Sequence, residues 1–117
     1  MKKFTPTEKE LMEAMWKTGG MTTNEIIIYF NARGKEWKRQ TVNTFMSNLI
    51  EKEIIIKKNR KYVPRYSQVE LKKKEAEDFL REEYDGSLKQ FVAALHGGTQ
   101  LSVEEAREVI ALLDSLI

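Results

Sequence analysis

The sequence predicts a mainly α-helical protein with one small β-hairpin, and three observations lead to this fold class. Apolar residues recur at helical spacing in several segments, most clearly from Arg39 to Lys52. Capping signals precede four of the predicted helices, at Thr5, Thr22, Ser87 and Ser102, and glycine pairs follow two of them. After Lys52 the pattern changes to β-branched and aromatic residues on either side of a short basic stretch. The predicted order is therefore three helices, a hairpin and further helices.

Capping boxes mark the first two helices. The first helix is predicted to begin with Thr5-Pro6-Thr7-Glu8 and to end at Gly19-Gly20. A second capping box, Thr22-Thr23-Asn24-Glu25, predicts a second helix through about Ala32. The run from Glu25 to Phe30 is β-branched enough to form a strand instead, but the cap in front of it favours a helix.

The third predicted helix has one apolar stripe, formed by Val42, Phe45, Met46, Leu49 and Ile50. Its other side carries short polar residues and one cation, whereas a solvated helix face usually carries Glu and Lys. Amides and hydroxyls of this kind contact base edges and phosphates in a DNA major groove. We therefore predict a recognition helix with these DNA-binding residues: Arg39, Gln40, Thr41, Asn43, Thr44, Ser47 and Asn48. The alternative is a core helix whose outer face is polar without a function.

A basic hairpin is predicted directly after this helix. Its strands contain Ile54, Ile55 and Ile56, then Tyr62, Val63 and Tyr66, around a basic tip at residues 57–61, and Pro64 requires an edge or bulge position. Two helices joined by a turn at Gly34 and Lys35, with Trp37 as an anchor, and followed by a hairpin form a winged helix-turn-helix. We expect the wing to contact DNA phosphates through Lys57, Lys58, Arg60 and Lys61. Alternatively, these cations only protect an exposed strand edge from aggregation.

The charge distribution supports a polyanionic partner. The net charge of +2 conceals a balanced segment at residues 1–32, a net of +7 at residues 33–65 and a net of −5 at residues 66–117. The basic segment contains the predicted recognition helix and wing. Such clustering is the electrostatic pattern of a protein that binds nucleic acid.

Composition argues against an enzyme and against a membrane protein. The chain has no cysteine, one histidine and no glycine-rich phosphate loop, so we predict no catalytic residue, no cofactor and no metal site. His96 is most simply a residue near a helix C-terminus. No apolar run approaches the roughly 20 residues that span a membrane, and the N-terminus is too polar for a signal peptide. A cytoplasmic location is expected, which the absence of cysteine also fits.

The predicted domains are a winged-helix DNA-binding domain at residues 1–68 and a helical dimerisation domain at residues 69–117. Helices are expected from about Gln68 to Asp85-Gly86, after Ser87, and after Ser102. Three short helices cannot bury all of their apolar residues among themselves, so we infer a homodimer. The predicted dimer interface comprises Phe79, Leu88, Phe91, Val92, Leu95, Val103, Val109, Ile110, Leu112, Leu113 and Leu116. In the alternative, the last helix packs back onto its own winged helix in a monomer.

With these elements in place, the sequence resembles the penicillinase repressor family of bacterial regulators over nearly its whole length. The resemblance rests on the order and spacing of Phe4-Thr5, Leu11-Met12, Met15-Trp16, Thr22 to Ile26, Thr41-Val42, Leu49-Ile50, Lys52 to Ile55 and Tyr84 to Leu88. It implies a homodimeric winged-helix repressor, bound to a palindromic operator in double-stranded promoter DNA, with the C-terminal helices as its dimer interface. The alternative function is a protein-interaction module whose basic stretch contacts an acidic partner without sequence-specific DNA binding.

Two departures from the family concern its inducing signals. Members that respond to β-lactams are cut by a sensor protease at an Asn-Phe bond, and the matching position here is Ala94-Leu95. Copper-responsive members carry a C-terminal cysteine cluster, which this cysteine-free chain lacks. Neither a sensor protease nor a copper signal therefore transfers from the resemblance.

Overall fold

The structure is a computed structural model and describes residues 4–117. Over that range, six α-helices and one two-stranded antiparallel hairpin confirm the predicted fold class. The elements in chain order are α1 (Pro6–Thr18), α2 (Thr23–Asn31), α3 (Arg39–Glu51), β1 (Ile55–Lys58), β2 (Lys61–Pro64), α4 (Gln68–Tyr84), α5 (Leu88–Ala94) and α6 (Val103–Asp114).

Both predicted capping boxes at the start of the chain form. The Glu8 N–H donates to Thr5 Oγ1 at 3.1 Å, and the Thr5 N–H donates to Glu8 Oε1 at 2.9 Å. The same reciprocal pair joins Thr22 and Glu25, at 3.1 and 3.0 Å. These bonds satisfy backbone donors that a helix start leaves without partners. The segment after Glu25 is therefore helical, and the alternative of a strand is wrong.

The glycine pair after α1 has two different structural roles. Gly19 ends the helix with φ = 85°, the left-handed conformation that glycine adopts without strain. Gly20 has φ = 147°, and an added Cβ would lie 2.6 Å from Val63 Cγ1. This close approach lets Met21 and Tyr62 exchange two backbone hydrogen bonds of 3.0 and 2.8 Å. The hairpin is thus fastened to the turn in front of α2.

One hydrophobic core joins the first three helices, the hairpin and the start of α4. Its fully buried side chains are Leu11, Met12, Met15, Ile26, Val42, Met46, Leu49, Ile55 and Leu71. Burial of each such side chain contributes about 1.5–3 kcal/mol relative to exposure. Trp16 lies at the edge of this core and donates from Nε1 to the Tyr66 carbonyl at 2.9 Å.

The hairpin is tighter than predicted. Lys57, Lys58 and Lys61 belong to the strands, and only Asn59 and Arg60 form the loop between them. The predicted basic tip at residues 57–61 is therefore wrong in its width. β2 ends at Pro64, so Tyr66 lies outside the strand that was predicted to contain it. The interaction that holds Tyr66 is the tryptophan contact to its carbonyl, which no strand pattern indicates.

The chain divides into two compact units, the first up to Asp78 and the second from Phe79 to Ile117. In the second unit, three rings pack edge to face with centroid separations of 5.4–6.0 Å, from Phe79, Tyr84 and Phe91. Ser87 and Ser102 cap α5 and α6 as predicted, each accepting from the N–H three residues later at 3.1 Å. The predicted domain boundary between residues 68 and 69 stays a prediction.

A buried ion pair connects α1 with the end of α3. Glu8 is only 3% exposed, and Lys52 Nζ lies 2.5 Å from its Oε1. Burial by itself raises the pKa of Glu8, but the hydrogen bonds from Lys52 and Thr5 and the charge of Lys52 outweigh it and lower this pKa. Glu8 is therefore a carboxylate at neutral pH, although it is buried.

We expect Lys52→Met to lower the free energy of unfolding at pH 7 by about 2–3 kcal/mol, because a buried carboxylate loses its charge partner. The folded pKa of Glu8 is lowered, so the contribution of the pair is present at neutral pH and lost as pH falls through the folded value. The difference between wild type and variant should therefore shrink below the ordinary glutamate pKa of 4.5. Urea denaturation at pH 7 and pH 3 measures both free energies.

The control for this measurement is Lys9→Met, at an exposed lysine of α1, which should change stability by less than about 0.5 kcal/mol. A penalty for Lys52→Met of the same size at both pH values would contradict a role for the Glu8 charge. Similar penalties for the two lysine substitutions would contradict the importance of the buried pair.

Candidate nucleic-acid interface

α3 has one buried face and one exposed face. Val42, Met46 and Leu49 are fully buried, and Phe45 is half-buried against the same core. These four residues confirm most of the predicted apolar stripe. Ile50 is 40% exposed, so the prediction was wrong to include it fully, because its helical position lies at the edge of the buried face.

The predicted DNA-binding side chains of α3 lie on its outer surface. We call this set the polar face, and it consists of Arg39, Gln40, Thr41, Asn43, Thr44, Ser47 and Asn48. Six of these residues are exposed, and Thr41 is half-buried. The Thr44 hydroxyl donates to the Gln40 carbonyl at 3.0 Å, so its proton is already used within the helix. Thr44 can therefore offer a methyl group and the lone pairs of Oγ1 to another molecule.

The turn between α2 and α3 is held by a two-way amide clamp. The Trp37 N–H donates to Asn31 Oδ1 at 2.9 Å, and Asn31 Nδ2 donates to the Trp37 carbonyl at 3.0 Å. The Trp37 ring lies between those of Phe30 and Phe45, with centroid distances of 4.7 and 5.1 Å. The predicted anchor role of Trp37 is confirmed, and the clamp fixes where α3 begins.

Two residues at the start of α2 contact the polar face, and sequence reasoning missed them. Asn24 accepts a hydrogen bond at Oδ1 from Arg39 Nη2, and the Thr23 hydroxyl donates to Asn43 Oδ1 at 3.4 Å. In the sequence, Thr23 and Asn24 are recognisable only as the two middle residues of a capping box. The signal that could have found them is that Thr22 and Glu25 complete the cap alone, which leaves the two polar side chains between them without a local role.

A shallow cavity of about 300 Å³ opens beside the first turns of α3. It is lined by Lys38, Gln40, Thr41, Thr44 and Phe45. Phe45 is the apolar member of this lining, and the other four residues carry hydroxyl, amide and ammonium groups that can hydrogen-bond.

The hairpin places its cations on different sides. Lys58 and Lys61 are cross-strand partners, whereas Lys57 is paired with Tyr62, and its Nζ lies 5.2 Å from the centroid of that ring. Arg60 occupies the two-residue loop with φ = 69°, after Asn59 with φ = 50°. Positive φ at both loop residues is the signature of a type I′ turn, in which glycine is strongly preferred at the second position.

Glu25 places an acidic group in the electrostatic environment of Lys61. The hydrogen bonds that Glu25 accepts from the backbone and side chain of Thr22 lower its pKa, and the charge of Lys61 adds a smaller effect in the same direction. Desolvation acts in the opposite direction, and its effect on this pKa is larger than that of Lys61. Glu25 therefore stays ionised and partly balances the basic hairpin from the start of α2.

The predicted dimer residues of the second unit are largely exposed in the single chain. On α6, Ile110 is 58% exposed and Leu112 is 66% exposed, and beyond the helix Leu116 is 75% exposed. Phe91 differs because it is half-buried among the rings of Phe79 and Tyr84. We call the exposed apolar side chains of α5 and α6, together with Leu116, the apolar surface of the second unit.

Neither a metal-binding cluster nor a membrane-spanning helix occurs in residues 4–117. No three side chains with carboxylate or imidazole groups are grouped there as ligands for a metal ion. None of the helices in this range combines the length and the apolar character that a membrane span requires.

Comparisons with known proteins agree with this architecture. The family model for the penicillinase repressor matches residues 4–115. The penicillinase repressor of Bacillus licheniformis is 29% identical over 115 residues, which cover 95% of this chain and 89% of that protein. The penicillinase repressor of Staphylococcus aureus is 26% identical over 113 residues, covering 93% of this chain and 89% of that protein. This chain thus belongs to the penicillinase repressor family, a family of DNA-binding transcriptional repressors and not of enzymes.

Proposed function

We propose that this protein is a homodimer that binds a palindromic promoter operator in the bacterial cytoplasm and represses transcription by occluding the promoter. The observation that carries this proposal is the exposed polar face of α3, in the same compact unit as a hairpin in which Lys58 and Lys61 are directly opposed and Arg60 has a left-handed backbone. Both features lie in the first compact unit of the chain.

The polar face has the chemistry of major-groove recognition. Amide groups of Asn and Gln donate and accept in one plane, and hydroxyls of Thr and Ser can do either, so such side chains can distinguish base edges. In this proposal Asn43, Thr44 and Ser47 contact base edges. Arg39 binds a backbone phosphate and helps to place α3 in the groove.

The cavity beside α3 fits the same role. A thymine edge has a methyl group next to an acceptor oxygen. The cavity could accommodate both, because it is lined by the apolar ring of Phe45 and by the polar side chains of Gln40, Thr41 and Thr44. Lys38 at the same rim supplies a cation for a nearby phosphate.

The hairpin cations are better explained by a bound polyanion than by stability. Directly opposed like charges, as at Lys58 and Lys61, destabilise a strand pair. Arg60 has a left-handed backbone, which costs a non-glycine residue about 1 kcal/mol or more. Phosphates between these cations would offset the repulsion by their opposite charge, and each contact would also release counterions from DNA. The hairpin is thus a wing that follows the phosphate backbone.

The apolar surface of the second unit supports the homodimer. A contiguous apolar surface on a soluble protein usually marks an interface, and a symmetric dimer buries the same surface on both protomers. Two linked DNA-binding units bind far more tightly than one, because the second contact becomes intramolecular. Their half-sites would lie about 34–36 Å apart, one helical turn of DNA, or a multiple of that distance.

Release of this repressor by the family's β-lactam sensor protease is not part of the proposal. The position that matches the Asn-Phe cleavage bond is Ala94-Leu95, at the end of α5. Two small or aliphatic side chains replace the amide and the ring that such a protease would recognise. The sensor-protease signal of the family therefore does not transfer to this chain.

Binding-site selection from a pool of random duplexes tests the proposal directly. We expect the full-length protein to enrich one palindromic sequence and to protect a matching tract upstream of a gene in its own genome. Specific binding should exceed binding to random DNA by at least about 10³-fold at physiological salt. Failure to enrich any sequence, together with capture of acidic proteins in its place, would favour an interaction module.

The variant Arg60→Gly separates the DNA-binding role of Arg60 from its role in stability. Glycine suits the left-handed turn position, so unfolding by urea should require up to about 1 kcal/mol more free energy. Affinity for the selected duplex should fall, and the slope of log K against log salt should decrease by about 0.9 per lost phosphate contact, or about 1.8 per dimer. Fluorescence anisotropy over a salt series measures these changes.

Asn59→Gly is the matched control, because it makes a similar backbone change at the neighbouring loop position without removing a charge. Its salt slope should equal that of the wild type. An unchanged slope in Arg60→Gly would contradict the wing as a phosphate-binding element.

The variant Leu112→Asp tests the dimer interface. Leu112 is 66% exposed in the single chain, so the substitution should leave the protomer folded while it places a charge in the apolar interface. We expect protomers at micromolar concentration in sedimentation velocity, and a loss of operator affinity of at least about 100-fold from lost avidity.

The control for this interface is Val69→Asp, at a valine on α4 that is 79% exposed and outside the predicted interface. This variant should remain a dimer with wild-type affinity. A wild-type protein that sediments as a protomer would instead favour the alternative in which α6 covers its own winged helix.

A further inference from the structure

We propose that Thr23 and Asn24 are positioning residues that orient Asn43 and Arg39 for DNA recognition. This inference rests on the proposed function, and it names residues of α2 that determine what the polar face of α3 can recognise. We infer that Thr23 affects discrimination between DNA sequences through Asn43. Asn24 affects affinity for the DNA phosphate backbone through Arg39.

Thr23 and Asn24, which are adjacent on α2, contact two successive turns of α3. Arg39 and Asn43 are four positions apart on α3, so their side chains lie on the same side of that helix. The first turn of α2 is fixed by the reciprocal bonds of Thr22 and Glu25. Because that cap is complete, the side chains of Thr23 and Asn24 are not needed to satisfy the helix start and can reach across to α3.

The Thr23 contact determines which part of Asn43 can face DNA. The Thr23 hydroxyl donates to Asn43 Oδ1 at 3.4 Å, so the amide oxygen is turned toward α2. The Nδ2 group, with its two N–H donors, is then the part left for a base edge. An amide held in this way selects a base acceptor, such as purine N7, guanine O6 or thymine O4, and disfavours the bidentate pair with adenine that needs both amide atoms.

The Asn24 contact orders a long cation before DNA arrives. Arg39 is exposed, and one of its terminal nitrogens donates to Asn24 Oδ1. The guanidinium group has further N–H donors in the same plane, which remain suited to phosphate oxygens. A side chain that is already ordered loses less rotamer entropy when it binds, so Asn24 should raise affinity for all sequences alike.

A purely structural role is a weaker explanation for these contacts. Asn24, Arg39 and Asn43 are exposed, and hydrogen bonds between exposed side chains contribute little to folding because water replaces them. The packing of α2 on α3 instead depends on buried residues such as Ile26, Phe30 and Val42. The two contacts therefore have more influence on side-chain orientation than on fold stability.

A double-mutant cycle on the full-length protein tests the Thr23 arm. The probes are the duplex that the wild type selects from random DNA and its single base-pair variants, with binding followed by anisotropy. Thr23→Val should reduce discrimination at one base pair per half-site by about 3- to 10-fold, the effect of one hydrogen bond. Thr23→Ser, which keeps the hydroxyl, should restore it, and in an Asn43→Ala background Thr23→Val should have no further effect.

The Asn24 arm uses the same probes with a different expected pattern. Asn24→Ala should weaken binding to the selected duplex and to random DNA by the same factor, about 2- to 5-fold, and should have no effect in an Arg39→Ala background. Thr7→Val is the control, since Thr7 is the second helical residue of α1 as Asn24 is of α2, and it should bind as wild type. Thr23→Ala provides the same test if valine disturbs the start of α2.

The outcomes separate this inference from the proposed function. A wild type that selects no sequence overturns the proposed function and this inference with it. Two results would overturn the inference alone if the wild type selects a duplex. In the first, Thr23→Val and Thr23→Ala discriminate between sequences as wild type does. In the second, they add their full effect to that of Asn43→Ala. Melting temperatures within about 2–3 °C of wild type would exclude unfolding as the cause.

Discussion

The buried stripe of α3 is the constraint on which the rest of the first unit depends. Val42, Met46 and Leu49 have no solvent exposure, and removing such a side chain from a core costs about 2–5 kcal/mol. Rotation of α3 about its axis would expose at least one of them. The 3.6-residue period then determines which residues face outward, so the core fixes the polar face as firmly as it fixes the helix itself.

Several residues in this unit are less favourable for stability than common alternatives, and all of them suit contact with nucleic acid. Thr, Asn and Ser on α3 have lower helix propensity than the Glu and Lys of an ordinary surface. The opposed pair Lys58 and Lys61 repels, and Arg60 stands where glycine would form the turn with less strain. Each choice becomes favourable next to base edges or phosphates. Departures from local consistency of this kind are expected at functional sites, and here they agree with the family membership.

The sequence predicted features that depend on neighbouring residues and missed those that depend on distant ones. The capping boxes, the glycine at the end of α1 and the apolar stripe of α3 are built from residues whose successive members lie within four positions, so their chemistry is visible in the chain order. The hairpin loop was predicted too wide because Asn59-Arg60 lacks the glycine that usually marks a type I′ turn. Thr23 and Asn24 were missed because their partners lie 20 and 15 residues away. The Glu8–Lys52 pair spans 44 positions and has no local signal.

In the proposed dimer, the division of the chain into two units has a consequence for control. A single winged helix has few base contacts, so most of its operator affinity would come from the linkage of two units. Occupancy of the operator then depends on the monomer–dimer equilibrium as well as on the DNA contacts, since both are linked by mass action. A signal that weakens the apolar surface of the second unit would therefore release DNA without changing a residue of the polar face. Regulation and recognition could thus change separately, because they depend on different side chains in different compact units.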